Sequence, residues 1–522
     1  MNNIITSIVV HLPLEDHQTT SQVFYTIQSI LDQTNPRFEL ILLQERNDIT
    51  QIMEQLKIIC PFQIIPKQDL SYPSHFNRAI KTAKGDYILY CDNREGSIYL
   101  KRAALETLLM TVRRNPGTGM VYSDYELDDG NKVENVGLLK HHRGRLRDNQ
   151  DYGKVFLFSK RALKSAGLFD ERLRYNIFYD IRLKIAEKFE LVHIANKSDG
   201  ALYHVVSPGK EFNVFDYLIA GREVQLEAEE ILTAHLKRIG AYLSPGDCYR
   251  KCESFADEFP LKASIIIPVN NRPQFIGHAI ESVLNQTVQD IEVIVIVNGG
   301  EDDPTSSEVK RYQHGGDLYN PDKPDVILKV IDINNIGLCL NLGVEIARGK
   351  YYVQLDSDDR LKPDAVEKIT AVFDSDPCIG MVIGSYEVWE KRNDTGEIVR
   401  LEDIPVVTHD EWTEENGRNN LLRINGAGAP RSIPIHIIKE MGYFGINDAP
   451  FARNYGEDYD MVLRISERYR IGRIYEPIYE VIRHSGGTDH SIDQPTIDRN
   501  DEAKDWMRLE AIRRRQKLNY GK

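Results

Sequence analysis

The sequence has few cysteines and no long apolar run. Six cysteines in 522 residues predict reduced thiols rather than a disulfide framework. The close pair Cys248 and Cys252 has no second Cys or His pair near it, so we interpret it as two small apolar residues near a domain junction rather than a zinc site. No apolar stretch approaches the roughly 18 residues that a membrane helix needs. The segment "MNNIITSIVVHLPLED" lacks the basic region of a secretory signal, and these absences together predict a soluble cytoplasmic protein.

Positive charge is scarce except at the C-terminus. The net charge of -14 argues against general nucleic-acid binding, which needs a basic face. From residue 507 onward, however, six basic residues oppose one acidic residue. We interpret residues 496–522 as a basic helix or tail that is solvated, with its cations at the negative end of the helix dipole. Peripheral docking on anionic lipid headgroups at the inner face of the membrane is the alternative.

Two phosphate-binding motifs are also missing. No Gly-x-Gly-x-x-Gly follows the first strand of either half of the chain, and no Walker sequence occurs. The sequence therefore lacks the phosphate cradle that a dinucleotide oxidoreductase or a P-loop protein requires.

The chain contains the same pattern twice. "TIQSILDQT" (26–34) aligns with "AIESVLNQT" (279–287) at an offset of 253 residues, and "YDIRLKI" (179–185) aligns with "YDMVLRI" (459–465) at 280. Runs of Val, Ile and Leu separated by helical stretches predict a parallel sheet that is buried on both faces. Each copy is therefore expected to be an α/β, Rossmann-like domain.

The domain boundaries follow from the repeat. We predict a first domain at 1–208, a helical connector and linker at 209–260, a second domain at 261–495, and the basic tail at 496–522. The connector has apolar residues at helical spacing over 212–243, and a Pro- and Gly-containing stretch follows it.

Three carboxylates follow a predicted strand in the second copy. In "GKYYVQLDSDDRLKPD" (349–364) they are Asp356, Asp358 and Asp359. Ligands of an open parallel sheet bind beyond the carboxyl ends of its strands. Aspartates at positions i and i+2 suit a Mg or Mn ion that also binds phosphate oxygens. Asp359 alone is better explained as the cap of a helix that starts near Pro363.

A second acidic pair and a histidine complete the candidate site. Glu457 and Asp458 start an amphipathic helix, whose positive end favours a carboxylate. Asp460 is expected to cap or pair structurally. His484 follows a strand-like run and opens a Gly/Ser loop suited to folding over phosphates, and "NGAGAP" (425–430) is interpreted as a flexible active-site loop.

In this order, the motifs resemble family 2 glycosyltransferases of the GT-A fold. The resemblance covers nearly all of 262–492, through "ASIIIPVNNRPQF", "QLDSDD", "GYFG", "GEDYDMVLRI" and "RHSGG", and the first copy shares it more weakly through "YSDYELDDG" and "ALYHVVSPG". It implies two tandem GT-A domains and an inverting, metal-dependent transfer of sugar from a nucleotide-sugar, of which UDP is the expected nucleotide. The acceptor would be a glycan, glycolipid or glycoprotein, as in the synthesis of bacterial surface glycans.

The resemblance also assigns roles to residues. It implies Asp458 as the catalytic base, with Glu457 as the next candidate, and a Mn or Mg ion at Asp358 with Asp356 and His484 as further ligands. The positions that it implies for nucleotide-sugar binding are Pro268, Asn270, Arg272, Asn298, Asn335, Asn341, Asp356, Ser357 and Arg431. Asn298 stands where the family commonly has an aspartate, and Asn270 stands where it usually has an aromatic residue, so the nucleotide is left open.

The first copy lacks the same groups. Arg94 aligns with Asp358 at an offset of 264, and Phe178 aligns with Asp458 at 280. We therefore expect a degenerate domain with a scaffold or acceptor-binding role, and residual nucleotide binding is the alternative.

Two other functions are compatible with an α/β chain of this kind. One is a glycan-binding scaffold without turnover, against which the acids and His484 argue together. The other is a sugar-phosphate nucleotidyltransferase, which needs a Gly-rich basic loop after the first strand that "PVNNRPQF" does not supply.

Overall fold

The computed structural model describes residues 4–521 except 15–17, 48–51, 53, 55–59, 95, 197–199, 208–220, 247–248, 253–258, 393–395, 410–411, 425, 427, 449–454 and 485–492. The chain forms two compact units, Met1–Ile239 and Gly240–Lys522. The separate connector predicted at 209–260 is therefore divided, where it is described, between the two units.

Hydrogen bonds explain this division. In the first unit, Glu227 of the connector helix accepts bonds from the backbone N–H groups of Arg174, Tyr175 and Asn176 at 2.6–2.9 Å. In the second unit, the linker's Arg250 N–H donates to the Arg468 carbonyl at 2.8 Å.

The elements of the first unit are β1 (Thr6–Leu12), α1 (Thr20–Leu31), β2 (Phe38–Gln44), β3 (Phe62–Pro66), α2 (Tyr72–Thr82), β4 (Tyr87–Cys91), β5 (Ser97–Leu100), α3 (Ala104–Arg114), β6 (Thr118–Ser123), β7 (Tyr125–Asp128), β8 (Val133–Val136), β9 (Val155–Ser159), α4 (Lys160–Ser165), α5 (Ile177–Ala186), β10 (Glu190–Ile194), β11 (Tyr203–Val206) and α6 (Arg222–Arg238).

The elements of the second unit are β12 (Leu261–Val269), α7 (Pro273–Leu284), β13 (Ile291–Val297), α8 (Thr305–Lys310), β14 (Asp325–Val330), α9 (Ile336–Ile346), β15 (Gly349–Gln354), β16 (Arg360–Leu361), α10 (Ala365–Ser375), β17 (Ile379–Lys391), β18 (Ile398–Arg400), α11 (Gly417–Asn420), β19 (Arg431–Pro434), α12 (Ile435–Glu440), α13 (Glu457–Ser466), β20 (Arg470–Arg483) and α14 (Gln494–Tyr520).

The main sheets of the two units have the same strand order. The first runs β3-β2-β1-β4-β9-β6-β10, and the second runs β14-β13-β12-β15-β19-β17-β20-β16, with β18 paired to β17. In each, the central strands are parallel, but β9 and β19 run antiparallel to both of their neighbours. The prediction of a wholly parallel sheet is therefore wrong at these strands. A buried antiparallel strand has the same unbroken apolar run as a parallel one, so the sequence pattern does not distinguish them.

The core explains why the central strands are so apolar. Every residue of β13 is buried, and so is the stretch from 263 to 267 in β12, with helices such as α7 packed against them. Full burial of one such Val or Ile side chain contributes about 1.5–3 kcal/mol.

A buried carboxylate ties the central strands together at the end opposite to the candidate site. Glu292 on β13 is fully buried and accepts bonds from Ser264 Oγ (2.6 Å) and from Arg348 N and Nε (2.6 and 2.8 Å). Ser264 Oγ in turn accepts from Gly349 N at 2.9 Å. A Cβ atom on Gly349 would lie 2.4 Å from the Ala263 carbonyl carbon. The close approach of the paired strands β12 and β15 at this point therefore requires glycine.

The first unit repeats the same network. Ser7 Oγ donates to Glu39 at 2.6 Å, and Lys84 N donates to the same carboxylate at 2.5 Å. Gly85 N donates to Ser7 Oγ at 2.9 Å. The residues of the network are visible in the sequence. Each copy has a Ser, a Glu, and a basic residue followed by Gly at matching positions.

The C-terminal helix α14 is packed into the second unit, so the prediction of a solvated tail is wrong. Arg508 and Arg515 are fully buried; Arg508 pairs with Asp505 at 2.6 Å. Arg514 pairs with Glu467 at 2.9 Å. Several of the basic residues that suggested a lipid-binding tail are therefore buried or paired with acids of the protein. None of the helices in the described ranges is long and apolar enough to span a bilayer.

Replacement of Glu292 tests the buried network. We expect Glu292→Ala to lower the free energy of unfolding of the second unit by about 3 kcal/mol, because it leaves the partners of a charged acceptor without their hydrogen bonds. All three tryptophans of the chain lie in the second unit, so urea unfolding followed by tryptophan fluorescence reports on it.

Glu39→Ala is the matched control, because it removes the equivalent carboxylate from the first unit. It should leave the tryptophan transition unchanged. Equal shifts from the two variants would contradict an independent network in each unit.

Candidate active site

The candidate site lies at the carboxyl edge of the second sheet. Asn270 and Asn298 come directly after β12 and β13, and Asp356 comes two residues after the end of β15. Because β12, β13 and β15 are parallel neighbours, their carboxyl ends meet at one edge. Fold topology therefore brings together residues that are up to 86 positions apart.

Asp358 is the centre of the first cluster at this edge. The Arg272 guanidinium, at the start of α7, forms an ion pair with Asp358 Oδ2. His484 Nε2, just after β20, lies 2.9 Å from the same oxygen. The Phe275 ring packs against the imidazole with centroids 4.2 Å apart. Two other chain segments, the start of α7 and the residue after β20, thus converge on this one carboxylate.

The two neighbouring aspartates have different environments. Burial raises the pKa of Asp356, and the negative charge of Asp358 adds to this effect, whereas Arg431 opposes it. Asp359 accepts a hydrogen bond from Ile482 N at 2.8 Å, and burial raises its pKa well above the usual range. Asp359 therefore anchors β20 to the loop. The helix cap that we predicted for it is wrong, since α10 starts only at Ala365.

The second cluster is the turn at the start of α13. Gly456 precedes this helix with a φ of 86°, a conformation that favours glycine. Asp458 Oδ2 lies 3.1 Å from Arg431 Nη1, and the Asp458 side chain is 27% exposed. Glu457 is buried, and burial together with the charge of Asp458 raises its pKa to about 7. The accessible, cation-paired Asp458 thus differs from Glu457, which retains a proton up to near neutral pH.

Arg431 connects the two clusters. It starts β19, its Nε donates to Gln354 Oε1 at 3.3 Å, and its charge acts on both Asp356 and Asp458. The resemblance implied nucleotide-sugar binding for Arg431, whereas in this structure its partners are the acids. Because β19 runs antiparallel to its neighbours, its first residue, Arg431, lies at the carboxyl edge of the parallel strands.

The asparagines predicted to bind the nucleotide-sugar have varied partners. Asn335 caps α9, accepting from Leu338 N at 2.8 Å, and Asn341 exchanges two hydrogen bonds of 2.9 Å with the Phe444 backbone. These two side chains therefore hold local structure, and their binding role stays a prediction. Asn298 donates through Nδ2 to Cys339 Sγ at 3.3 Å and is buried.

Other predicted positions complete the edge. Asn270 is exposed, Pro268 is half-buried within β12, and Ser357 is buried beside the aspartates. Part of the "NGAGAP" loop and the loop after His484 lie outside the described residues.

Sequence reasoning missed two residues that hold Asp356. Gln354 Nε2 donates to Asp356 Oδ1 at 3.3 Å, and the Tyr479 hydroxyl accepts from Asp356 N at 3.1 Å. A polar residue within the apolar run of β15 is the one signal that could have identified Gln354. Tyr479 has no such signal, because it lies 123 residues away on β20.

The donor set for a metal is smaller than predicted. Across the ranges that the structure describes, no group of three His, Cys, Asp or Glu side chains is arranged to hold a metal ion. Asp358 and His484 do come together, but Asp356 is not part of a three-ligand group with them. A carboxylate and an imidazole still fit a Mn or Mg ion that takes its remaining ligands from phosphate and water.

The first unit has a different arrangement at the corresponding edge. Arg94 forms a bidentate ion pair with Asp92 at 2.7 and 2.8 Å and lies 4.3 Å above the Tyr72 ring. Burial alone would raise the pKa of Asp92, but the hydrogen bonds from Arg94 lower it. Phe178, one residue into α5, stacks on Tyr90 at 5.3 Å. A cation and an aromatic ring thus occupy the positions of Asp358 and Asp458.

An α/β sheet of this order, with acids and a histidine at its carboxyl edge, defines the second unit as a GT-A domain. Its residues 264–423 match the family model "Glycosyl transferase family 2". The second unit therefore contains a family 2 glycosyl transferase domain.

Curated relatives share different lengths of the chain. The hyaluronan synthase of Pasteurella multocida is 30% identical over 54% of this chain and 27% of its own length. The chondroitin synthase of the same species is 26% identical over 68% of this chain and 39% of its own length. An uncharacterized glycosyltransferase of Rickettsia felis is 24% identical over 90% of this chain and 78% of its own length. The chain thus spans only about a quarter to two fifths of the two named synthases.

Among solved structures, residues 1–349 of TarS from S. aureus, in complex with UDP-GlcNAc, match with a TM-score of 0.35 and 16% identity. The match covers 45% of this chain and 62% of that chain.

The raised pKa of Glu457 predicts a pH-dependent stability. The pKa in the folded protein, about 7, exceeds the unfolded value of 4.5. The resulting stabilisation is fully present below pH 4.5 and is lost as the pH rises through about 7. We expect the Tm of Glu457→Gln, measured with EDTA, to fall less than that of the wild type over this window.

Asp460→Asn is the control, because Asp460 lies on the same helix and pairs with Arg464 instead. It should retain the wild-type decrease between pH 4.5 and 7. If Glu457→Gln and the wild type lose stability in parallel, Glu457 is not the titrating group.

Proposed function

We propose that this protein transfers a sugar from a nucleoside-diphospho-sugar, with UDP the expected nucleotide, to a hydroxyl group of a glycan acceptor, inverting the anomeric centre. The observation that carries the proposal is the convergence of two clusters at one sheet edge. One is Asp358 with Arg272 and His484, and the other is Asp458 with Arg431. Neither cluster alone distinguishes a transferase from a binding protein.

The first cluster suits the departing diphosphate. Arg272 offers N–H groups at the point where negative charge develops on the leaving group, and such preorganised donors stabilise a transition state. Asp358 and His484 are the residues that would hold a divalent cation, which supplies further neutralisation of that charge. The Arg272 side chain would then be released from Asp358 to bind phosphate oxygens.

The second cluster suits deprotonation of the acceptor. A general base must lie within about 3 Å of the hydroxyl proton that it removes. Asp458 is partly exposed at the rigid start of α13, and Arg431 fixes the position of its carboxylate. Glu457 is buried and retains its proton near neutral pH, so it is the weaker candidate. A single base acting opposite the leaving group gives single displacement and inversion.

The acceptor is proposed from the relatives. The two named synthases are called after hyaluronan and chondroitin, which supports a polysaccharide or another surface glycan as the acceptor. The Rickettsia relative, which covers nine tenths of the chain, indicates that both units occur together in other proteins.

We propose a non-catalytic role for the first unit. Arg94 neutralises Asp92 within the protein and stands where Asp358 would hold a cation, and Phe178 offers no base. A scaffold or acceptor-binding role fits these features best.

Asp358→Ala tests the donor side. We expect it to abolish Mn-dependent binding of the donor, measured by calorimetry across UDP-, GDP- and dTDP-sugars, because it removes the carboxylate shared by Arg272 and His484. Asp364→Ala, which removes an aspartate that pairs with Lys368 at 2.9 Å, is the control and should bind like the wild type. Unchanged Mn-dependent affinity in Asp358→Ala would contradict the assignment.

Asp458→Asn tests the acceptor side. We expect transfer to fall by about 10² or more, the scale of a lost general base, while donor affinity stays near the wild-type value. Asp460→Asn on the same helix should keep its activity. Near wild-type transfer by Asp458→Asn would move the role of base to Glu457, and a wild-type protein that turns over no nucleotide-sugar would overturn the proposed function itself.

A further inference from the structure

The C-terminal helix α14 packs directly on the turn that carries the proposed base. This turn comprises residues 455–458 and is called the base turn below. A Cβ atom on Gly456 would lie 2.9 Å from Met507 Cε and 3.9 Å from Lys504 Cγ. Helix α14 therefore lies against the one residue whose left-handed backbone lets the chain enter α13.

Lys504 is the charged residue of α14 at this contact. Its side chain is only 6% exposed, and its ammonium lies 4.5 Å from the centroid of the Tyr455 ring and 5.5 Å from that of the Tyr459 ring. A buried lysine costs free energy unless its charge is compensated. Burial alone would lower the pKa of Lys504, but the neighbouring Tyr455 hydroxyl and the charge of Asp458 raise it above the usual value, so the group stays a cation.

The acids of the site need such a cation. Glu457 and Asp458 are adjacent in sequence, and Asp356 and the Tyr352 hydroxyl face them from β15 and the loop after it. Two cations act on these acids, Arg431 from β19 and Lys504 from α14. Lys504 is thus the positive charge that approaches the base turn from the helix side.

Helix α14 also fastens the segment that precedes the Gly-rich loop. Arg508 donates to the Ile424 carbonyl at 3.0 Å, and Arg515 donates to the Arg418 carbonyl at 2.7 Å. The Tyr459 hydroxyl donates to the Leu421 carbonyl at 2.7 Å. These contacts place helix α14 on the acceptor side of the site.

We propose that Lys504 is a positioning residue, which acts through Tyr455 and the base turn to hold Asp458 in place for deprotonation of the acceptor. This inference rests on the proposed function. The C-terminal helix is accordingly part of the transfer machinery, although it begins 36 residues after Asp458.

The test compares Lys504→Met with Lys504→Arg in the full-length protein. Methionine keeps most of the length of the side chain and removes its charge, whereas arginine keeps the charge. We expect Lys504→Met to lower kcat for transfer by about 10- to 100-fold, the scale of a misplaced catalytic group. Donor affinity by calorimetry should change less than about twofold, and Lys504→Arg should recover most of kcat.

Lys517→Met is the matched control, because Lys517 is an exposed lysine of the same helix, and it should behave like the wild type. A wild-type kcat in Lys504→Met, or equal losses in Lys504→Met and Lys504→Arg, would overturn the positioning role. If Lys504→Met does not fold, Tyr455→Phe takes its place. That variant removes the hydroxyl partner of the ammonium, and an unchanged kcat would then overturn the inference. A wild-type protein without any transfer would count against the proposed function instead.

Discussion

The second unit is organised around the electrostatic cost of gathering carboxylates at the end of a buried sheet. Asp356, Asp358, Glu457 and Asp458 all lie near one edge, and burial together with the negative charge of neighbouring acids raises the pKa of Asp356 and of Glu457. Arg272, Arg431 and Lys504 offset this repulsion from three different elements. Removal of either the acidic or the basic side chains of such a cluster leaves the opposite charges buried and uncompensated. The arrangement suits a reaction in which negative charge builds up on a leaving diphosphate while a proton leaves the acceptor.

The first unit has the same scaffold without the electrostatic cost of gathered carboxylates. It has the same strand order and the same buried Ser-Glu network as the second unit. Arg94, however, pairs with Asp92, and Phe178 stacks in the aromatic cluster of Tyr90 and Phe156. An internally neutral edge packed with rings is more favourable for folding than one with four acids. The comparison supports the view that the acids of the second unit are kept for chemistry rather than for stability.

The sequence predicted some elements well because their signals are local or repeated. The helix α13 starts at Glu457, as its acidic first turn and preceding glycine indicated, and α5 starts at the matching Ile177. The convergence of Asp358 and His484 was also foreseen. Predictions failed where a residue has two possible partners of similar chemistry. Asp359 looked like a helix cap but bonds to the backbone of β20.

The sequence by itself determined the α/β class, the twofold repeat of the strand pattern, and the acids and histidine of the site, because buried strands, amphipathic helices and turn residues have local periodicities. Only the tertiary structure decided the direction of β19, which places Arg431 between the acids, and the burial of α14, which brings Lys504 to the base turn. Both depend on contacts between segments tens to hundreds of residues apart. A basic helix has the same local pattern whether its cations face water or buried carboxylates, so its place was settled by packing alone.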